Sequence, residues 1–169
     1  MNIKKVKKVV ILIFLIILTC NIFYVNSDKY KLEKLYINPI KVNQSYKEYT
    51  YNEYDNHVTI LTYNGFDNIV IIPEHIKNKP VYAIDDSAFY GNRYLEKVVI
   101  PNSVIRIGHQ SFIGCGKLQE VTLPKNIIDL GEWSFKGCTN LKKINVKKES
   151  KTDKVLKKTS FKKYINYKD

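Results

Sequence analysis

Residues 95–115 read LEKVVIPNSVIRIGHQSFIGC, and the apolar and glycine positions of this stretch recur with a period of 23 residues. The recurring columns hold identical or similar residues in three consecutive copies: Phe89, Phe112 and Phe135; Leu95, Leu118 and Leu141; Val98, Val121 and Ile144; Ile100, Leu123 and Val146; Gly91, Gly114 and Gly137; Ile84, Ile107 and Leu130. A fixed period in this range is typical of a solenoid in which each copy forms one turn. Because one turn cannot bury its own apolar face, the turns must stack to make a shared core.

Each copy combines a short strand with a tight return segment. Leu118–Pro124 (LQEVTLP) alternates apolar and polar residues, which predicts a strand with one buried face. Proline cannot donate to a strand ladder, so Pro124 marks the end of that strand. The return segment adds one Phe per turn to the interior, and the glycine column suits a corner with positive φ.

This motif resembles the leucine-rich repeat, and more closely its BspA-type bacterial subclass, which reads approximately L-x-x-V-x-I-P-x-S-V-x-x-I-G-x-x-A-F-x-G-C. Residues 95–115 depart from that pattern at Ser111, where the family favours Ala. The resemblance extends from near His57 to Val146 and implies a leucine-rich-repeat solenoid, mainly β, with short irregular or helical return segments. We expect about three full turns, an N-terminal hairpin cap and a C-terminal helical cap.

The first 27 residues have the pattern of a signal peptide or membrane anchor. Four lysines within residues 1–8 precede an apolar run over residues 9–25, which has signal-peptide length. Cleavage after Ser27 is our first interpretation, while an uncleaved anchor through residues 9–25 and lipidation at Cys20 remain open. In all three cases the repeats lie outside the cell, because the basic flank stays inside.

The rest of the chain divides into three parts. Residues 28–56 are rich in Tyr and Lys, and we interpret them as a partly disordered spacer. Residues 57–146 form the repeat array, which opens with Val58–Tyr63 and Ile69–Ile72 as the two strands of a capping hairpin. Residues 147–169 are predicted as a basic cap or tail, with a weak helical pattern over Thr152–Tyr164.

The net charge of +12 is concentrated at the two ends of the chain. Residues 28–141 carry 13 basic and 13 acidic groups, whereas residues 142–169 carry 11 lysines against three acidic residues. A basic end of this kind is usually solvated, and the alternative is adhesion to an anionic surface such as a wall polymer, lipid head groups or glycans. No recognised nucleic-acid-binding module is present, so specific nucleic-acid binding is not expected.

Cys115 and Cys138 occupy the same column of adjacent turns. Neighbouring strands lie about 4.8 Å apart, a spacing that a disulfide tolerates, yet the position also suits two buried free thiols, which we favour. Two cysteines with no histidine nearby do not make a zinc site. The carboxylates of Asp85 and Asp86 fall at a corner and are interpreted as a solvated turn. No catalytic constellation or phosphate-binding loop is present, so we predict no catalytic residue, no cofactor and no metal.

The residues between the buried positions of each predicted strand point outward, and we name these nine positions the strand face. They form three columns: Glu96, Gln119 and Lys142; Lys97, Glu120 and Lys143; Val99, Thr122 and Asn145. Solenoids use extended faces of this kind to bind proteins. Trp133, at a variable loop position, is a second candidate for a binding residue.

The resemblance also implies a function, because the BspA-type family includes bacterial surface proteins that bind host matrix proteins or other cells. We therefore expect an exported, non-catalytic protein at the cell surface that mediates protein–protein interaction or adhesion. The alternative is a structural or remnant repeat protein with no ligand of its own.

Overall fold

The computed structural model of the protein describes residue 39 and residues 41–168. The strands within this part of the chain are β1 (Lys41–Tyr46), β2 (Tyr49–Glu53), β3 (Val58–Tyr63), β4 (Ile69–Ile71), β5 (His75–Ile76), β6 (Lys79–Ile84), β7 (Lys97–Val99), β8 (Arg106–Ile107), β9 (Glu120–Thr122), β10 (Asp129–Leu130), β11 (Lys143–Lys147) and β12 (Ile165–Lys168). A short helix α1 (Lys151–Leu156) and a 3-10 helix (Ser160–Tyr164) connect β11 to β12. No helix in the described residues is long and apolar enough to span a bilayer. The segment interpreted as a signal or anchor, residues 1–27, lies outside them.

One strand from each turn joins a parallel sheet with the order β12-β11-β9-β7-β4. Val98 pairs with Val121, and Val121 pairs with Ile144, so the 23-residue period is the register of this sheet. The predicted solenoid is confirmed, but its five parallel strands make it longer than the three turns expected. The outer turns escaped the sequence analysis because their register pairs, Ile69 with Lys97 and Ile144 with Ile165, do not keep the 23-residue step.

A column of aromatic rings runs through the interior. Phe112 stacks on Phe89 with ring centroids 4.7 Å apart and on Phe135 at 5.4 Å. Tyr63 continues the column at 5.0 Å from Phe89, and Phe161 meets Phe135 edge-on at 5.4 Å. The predicted Phe column is therefore confirmed, and it extends by one ring at each end.

Glycine serves two purposes in the return segments. The column predicted to need positive φ has it, with φ of 63° at Gly91, 72° at Gly114 and 76° at Gly137. Gly131 has a different role, because a Cβ at this position would collide with the backbone of Gly108 in the turn before. Gly108 and Gly131 therefore let their two successive turns come into backbone contact.

The N-terminal end differs from the predicted hairpin. Strands β3 and β4 do not pair, because β3 joins the second sheet, whose order is β1-β2-β3-β6-β8-β10, while β4 begins the parallel sheet. The antiparallel pairs at this end are β1 with β2 and β2 with β3. Residues 41–46 and 49–53 of the expected spacer thus form strands, and Tyr51 is fully buried. Glu53 is buried beside Lys79, whose ammonium lies 2.9 Å away, an ion pair between distant parts of the sequence.

The C-terminal segment is only partly helical. Ser150 caps α1 by accepting a hydrogen bond from the backbone N–H of Asp153. The Thr152 hydroxyl fastens the helix to the preceding turn, donating to the Pro124 carbonyl and accepting from the Ile127 N–H. After the 3-10 helix, β12 pairs in parallel with β11. The expectation of a helical cap is therefore wrong in extent, because these residues add another strand to the parallel sheet.

Candidate interaction surface

All nine residues of the strand face lie in, or directly before, three neighbouring strands of the parallel sheet. They are Glu96, Lys97 and Val99 at β7; Gln119, Glu120 and Thr122 at β9; and Lys142, Lys143 and Asn145 at β11. The register places Lys97 beside Glu120 and Glu120 beside Lys143, as the predicted columns require. The intervening Val98, Val121 and Ile144 are buried, so the strand face is the outer side of the sheet.

Glu120 is the electrostatic centre of this surface. Its carboxylate lies 3.4 Å from the ammonium of Lys97 and 3.2 Å from that of Lys143. Lys168, on β12, is 3.8 Å away. Burial opposes ionisation of Glu120, but the hydrogen bond from Asn145 and the nearby lysines outweigh it and hold the pKa of Glu120 below its usual range. One carboxylate among three ammonium groups leaves the surroundings positive, which favours acidic groups on a partner.

Asn145 differs from the other eight residues because it is buried. Its amide donates to the Glu120 carboxylate at 2.6 Å and to the Thr122 hydroxyl at 3.2 Å. Its carbonyl oxygen accepts from the Asn166 amide at 2.6 Å. Asn145 therefore orients its neighbours and is not exposed for direct contact, contrary to the prediction. The reason is that β12, absent from the predicted array, covers it.

Four exposed apolar side chains lie at the N-terminal end of the strand face, and we name them the apolar end: Phe66, Ile69, Ile71 and Tyr94. Ile69 and Ile71 occupy the positions of β4 that pair with Lys97 and Val99. Ile71 is 71% exposed and Phe66 is 74% exposed. The Phe66 and Tyr94 rings pack edge to face at 5.2 Å. Sequence reasoning missed this cluster, although an alignment that allowed a longer first turn would have placed both isoleucines on the outer columns.

Trp133 lies outside the parallel sheet, in the return segment of its turn. Its side chain is 46% exposed, and the Lys136 ammonium lies over the indole ring at 4.6 Å from the centroid. Its backbone has φ of 63°, a left-handed conformation that bulky residues rarely adopt, and Ser87 and Gln110 share it in the turns before. The exposure agrees with the prediction, but the position is separate from the strand face.

A buried arginine joins three turns on the second sheet. The Arg106 guanidinium lies 3.1 Å from Asp85, 2.9 Å from Asp86 and 3.3 Å from Asp129. Asp86 also accepts the backbone N–H of His109 at 2.9 Å. The two carboxylates interpreted as a solvated turn are partly exposed, as expected, but they are also ion-paired with Arg106. The signal that was missed is that Asp129 follows Arg106 by one repeat period.

Cys115 and Cys138 are free, buried thiols. Each donates to a main-chain carbonyl of the turn before, Cys115 to Phe89 and Cys138 to Phe112, both at 3.1 Å. The Asn92 amide does the same in the preceding turn, donating to the Gly65 carbonyl at 3.2 Å. The adjacent Cys115 thiol and then burial raise the pKa of Cys138, so that thiol stays protonated. Among the described residues, no group of three or more His, Cys, Asp or Glu side chains has metal-site geometry.

Comparison with known proteins gives the family. Residues 82–169, more than half of the chain, match the model described as "BspA type Leucine rich repeat region (6 copies)". No curated protein matches the chain.

Several solved structures are similar. A T. pallidum leucine-rich repeat protein is 28% identical with a TM-score of 0.57, over 62% of this chain and 53% of that one. A leucine-rich cell surface protein from Faecalibacterium prausnitzii A2-165 is 26% identical with a TM-score of 0.54, over 65% of this chain and 34% of that one. A leucine-rich repeat protein from Bacteroides capillosus ATCC 29799 is 24% identical with a TM-score of 0.62, over 75% of this chain and 98% of that one, and it supports the fold alone. The chain thus spans about half the length of the T. pallidum structure. The chain belongs to the BspA-type leucine-rich repeat family.

Proposed function

We propose that this protein is exported and acts at the cell surface as a non-catalytic interaction protein, binding a protein partner through the strand face and the apolar end. Solenoid repeats of this kind present an extended outer surface. The family match and the similarity to a leucine-rich cell surface protein support this role. Partners in keeping with the family resemblance are host matrix proteins or the surface of a neighbouring cell.

The observation that carries the proposal is the contrast between the two halves of this surface. The apolar end exposes two aliphatic side chains on β4, and an aromatic pair in the segments that precede β4 and β7. Isolated exposed apolar residues are common, but a cluster rimmed by charges is typical of a protein-binding surface. Beside it, Lys97, Glu120 and Lys143 supply that charged rim. A partner with an apolar anchor flanked by acidic residues would match both halves.

Binding of the full chain to purified matrix proteins and cell-wall glycans, measured by biolayer interferometry, tests the proposal. We expect Phe66→Ala/Tyr94→Ala to weaken binding at least tenfold, as expected for aromatic anchors worth about 1.4 kcal/mol or more. Lys97→Ala/Glu120→Ala/Lys142→Ala should weaken binding mainly through slower association. The matched control is Lys117→Ala/Lys125→Ala/Glu132→Ala, which changes the charge equally at exposed loop positions. Equal binding by face and control variants would place the interaction elsewhere.

The basic C-terminal segment supports a second contact, with an anionic surface. Several of its lysines have exposed side chains: Lys147, Lys148, Lys154, Lys158 and Lys162. Attraction of this kind weakens with salt. Cosedimentation with vesicles of anionic lipid should therefore fall when the salt is raised from about 0.1 M to 1 M, where the Debye length shrinks to about 3 Å. Salt-independent cosedimentation would contradict this contact.

The proposed export has its own test. Intact-mass measurement of the protein produced in a bacterial host with a secretion pathway distinguishes cleavage after Ser27, lipidation at Cys20 and retention of the first 27 residues. A full-length, unmodified protein found only in the cytosol would contradict export.

A further inference from the structure

Within residues 41–168, no other strand pairs with the outer edge of β4, the first strand of the parallel sheet. In the later turns, the first and third strand residues use their backbone groups to bond the preceding turn. Lys97 N–H donates to the Asn68 carbonyl, and the Val99 carbonyl accepts from Ile72 N–H. The same pair of bonds recurs between β7 and β9, where Glu120 N–H donates to the Glu96 carbonyl and Ile100 N–H donates to the Thr122 carbonyl. It recurs again between β9 and β11, where Lys143 N–H donates to the Gln119 carbonyl and Leu123 N–H donates to the Asn145 carbonyl.

In β4 the equivalent residues are Ile69 and Ile71, and their backbone groups face away from β7. The ladder from β4 to β7 uses the main chain of Asn68, Val70 and Ile72, because backbone groups alternate between the two edges of a strand. Within the described residues β4 pairs with β7 alone. Two N–H and two C=O groups of β4 therefore have no strand partner among the described residues, and proteins usually cover or disrupt such an edge.

The end of the solenoid is stepped at this edge. The second sheet continues past β3 by two further strands, β2 and β1, whereas the parallel sheet stops at β4. A groove of about 290 Å³ lies in the step, bounded by the turn between β1 and β2 on one side and by β4 on the other. Its lining includes Tyr46, Tyr49, Tyr63 and Val70, together with Lys47 and Asp67. The projecting β1 and β2 would obstruct a second solenoid stacked flush on this end, whereas a single extended chain needs only the outer edge of β4.

We propose that β4 binds an extended segment of a partner protein, which adds to the sheet as a parallel strand. The hydrogen bonds between successive turns define how the peptide would pair with β4. Its carbonyl groups would accept from the N–H groups of Ile69 and Ile71, and its N–H groups would donate to the carbonyls of these two residues. Main-chain pairing supplies affinity in this mode, and side-chain pockets supply specificity. Aliphatic or β-branched residues on the outer side of the peptide would pack against Ile69 and Ile71. This site is distinct from the strand face, because it acts through the backbone at the edge of the sheet.

The probe is a peptide that copies residues 117–124 (KLQEVTLP). This stretch contains β9, which pairs with β11 in the same way that the partner strand would pair with β4. Binding of the fluorescently labelled peptide to the full chain is measured by anisotropy. N-methylation at the positions of Val121 and Leu123 removes the two donors that face the next turn, whereas N-methylation at Glu120 and Thr122 alters the other edge. We expect the first change to weaken binding about tenfold or more and the second to weaken it less than threefold, given the net worth of two hydrogen bonds.

A variant of the protein supplies the complementary test. Ile71→Pro removes an N–H that faces the outer edge of β4 and makes no bond to β7, so the fold should survive, as melting followed by circular dichroism would verify. We expect Ile71→Pro to lose peptide binding and Ile71→Thr, which keeps the N–H, to retain it. The Lys97→Ala/Glu120→Ala/Lys142→Ala variant, which leaves Ile69 and Ile71 of the apolar end intact, should bind the peptide normally, and this result would separate the site from the strand face. Three results would each overturn the proposal. They are failure of the unmodified peptide to bind, equal binding of the two methylated peptides, and binding of the peptide by folded Ile71→Pro as tightly as by the original chain. Self-association of the chain that blocks the peptide and is abolished by Ile71→Pro would also overturn it, in favour of a second copy.

Discussion

Replacing Phe112 by Ala removes the middle ring of the aromatic column. Phe112 is fully buried, and its ring stacks on both Phe89 and Phe135. In a solenoid each turn contacts only its neighbours, so this side chain holds the interface on both of its sides.

The expected loss is about 3–5 kcal/mol, the usual cost of truncating a buried Phe to Ala, with the two ring pairs favouring the upper half of that range. At an m-value of about 2 kcal/mol/M, the unfolding midpoint in urea should fall by about 1.5–2.5 M. Circular dichroism of the full chain during urea unfolding measures this shift.

The matched control is Phe66→Ala, which truncates the same side chain at an exposed position. Its effect should stay below about 1 kcal/mol, because the ring is mostly exposed and its removal costs the edge-to-face contact with Tyr94. A loss below about 1 kcal/mol for Phe112→Ala, or equal losses for the two variants, would refute the idea that the column stabilises the turns.

Three further predictions concern buried polar groups. Arg106→Ala should lower the free energy of unfolding by about 2–3 kcal/mol, which is less than for a fully buried ion pair because the carboxylate partners are partly exposed. Arg106→Met should lower it less, because Met keeps the apolar stem of the side chain. Equal losses for the two variants, measured by unfolding in urea, would contradict this. Burial and then the charge of Lys79 lower the pKa of His57 to about 4, so the unfolded chain takes up a proton first as the pH falls below about 6.5. The free energy of unfolding should therefore drop by about 2 kcal/mol between pH 7 and pH 5, and His57→Gln should abolish this drop. The same pH dependence of stability in His57→Gln and the original chain would disprove this role of His57. Cys115 and Cys138 should resist iodoacetamide in the native chain and react in urea, as peptide mass mapping would show; rapid native labelling would argue against their burial.

The sequence was most informative where one residue type repeats at one spacing. Phe89, Phe112 and Phe135 could be placed in a column because stacking identical turns brings equivalent side chains into contact. The outer columns followed from the alternation of each strand, and eight of the nine strand-face residues are at least partly exposed. Local alternation together with the period was sufficient for these positions.

The remainder depends on partners that are distant in sequence. Tyr51 and Glu53 are buried through pairing with β3 and the ion pair with Lys79, neither of which leaves a local pattern. Asn145 is covered by Asn166 from a strand that does not keep the period. The aromatic pair of Phe66 and Tyr94 joins two turns of unequal length, so no fixed spacing could reveal it.

Paired cysteines test the stacking of successive turns most directly. Val99 pairs with Thr122 across neighbouring strands, whereas Ile71 is two strands away from Thr122. Neighbouring strands lie about 4.8 Å apart, within the Cα spacing of about 4.4–6.8 Å that a disulfide accepts, and alternate strands lie about 10 Å apart, beyond it. Mild oxidation followed by peptide mass mapping should therefore find a disulfide in Val99→Cys/Thr122→Cys and none in Ile71→Cys/Thr122→Cys. A disulfide in the second variant, or none in the first, would contradict the solenoid register on which the proposed surfaces depend.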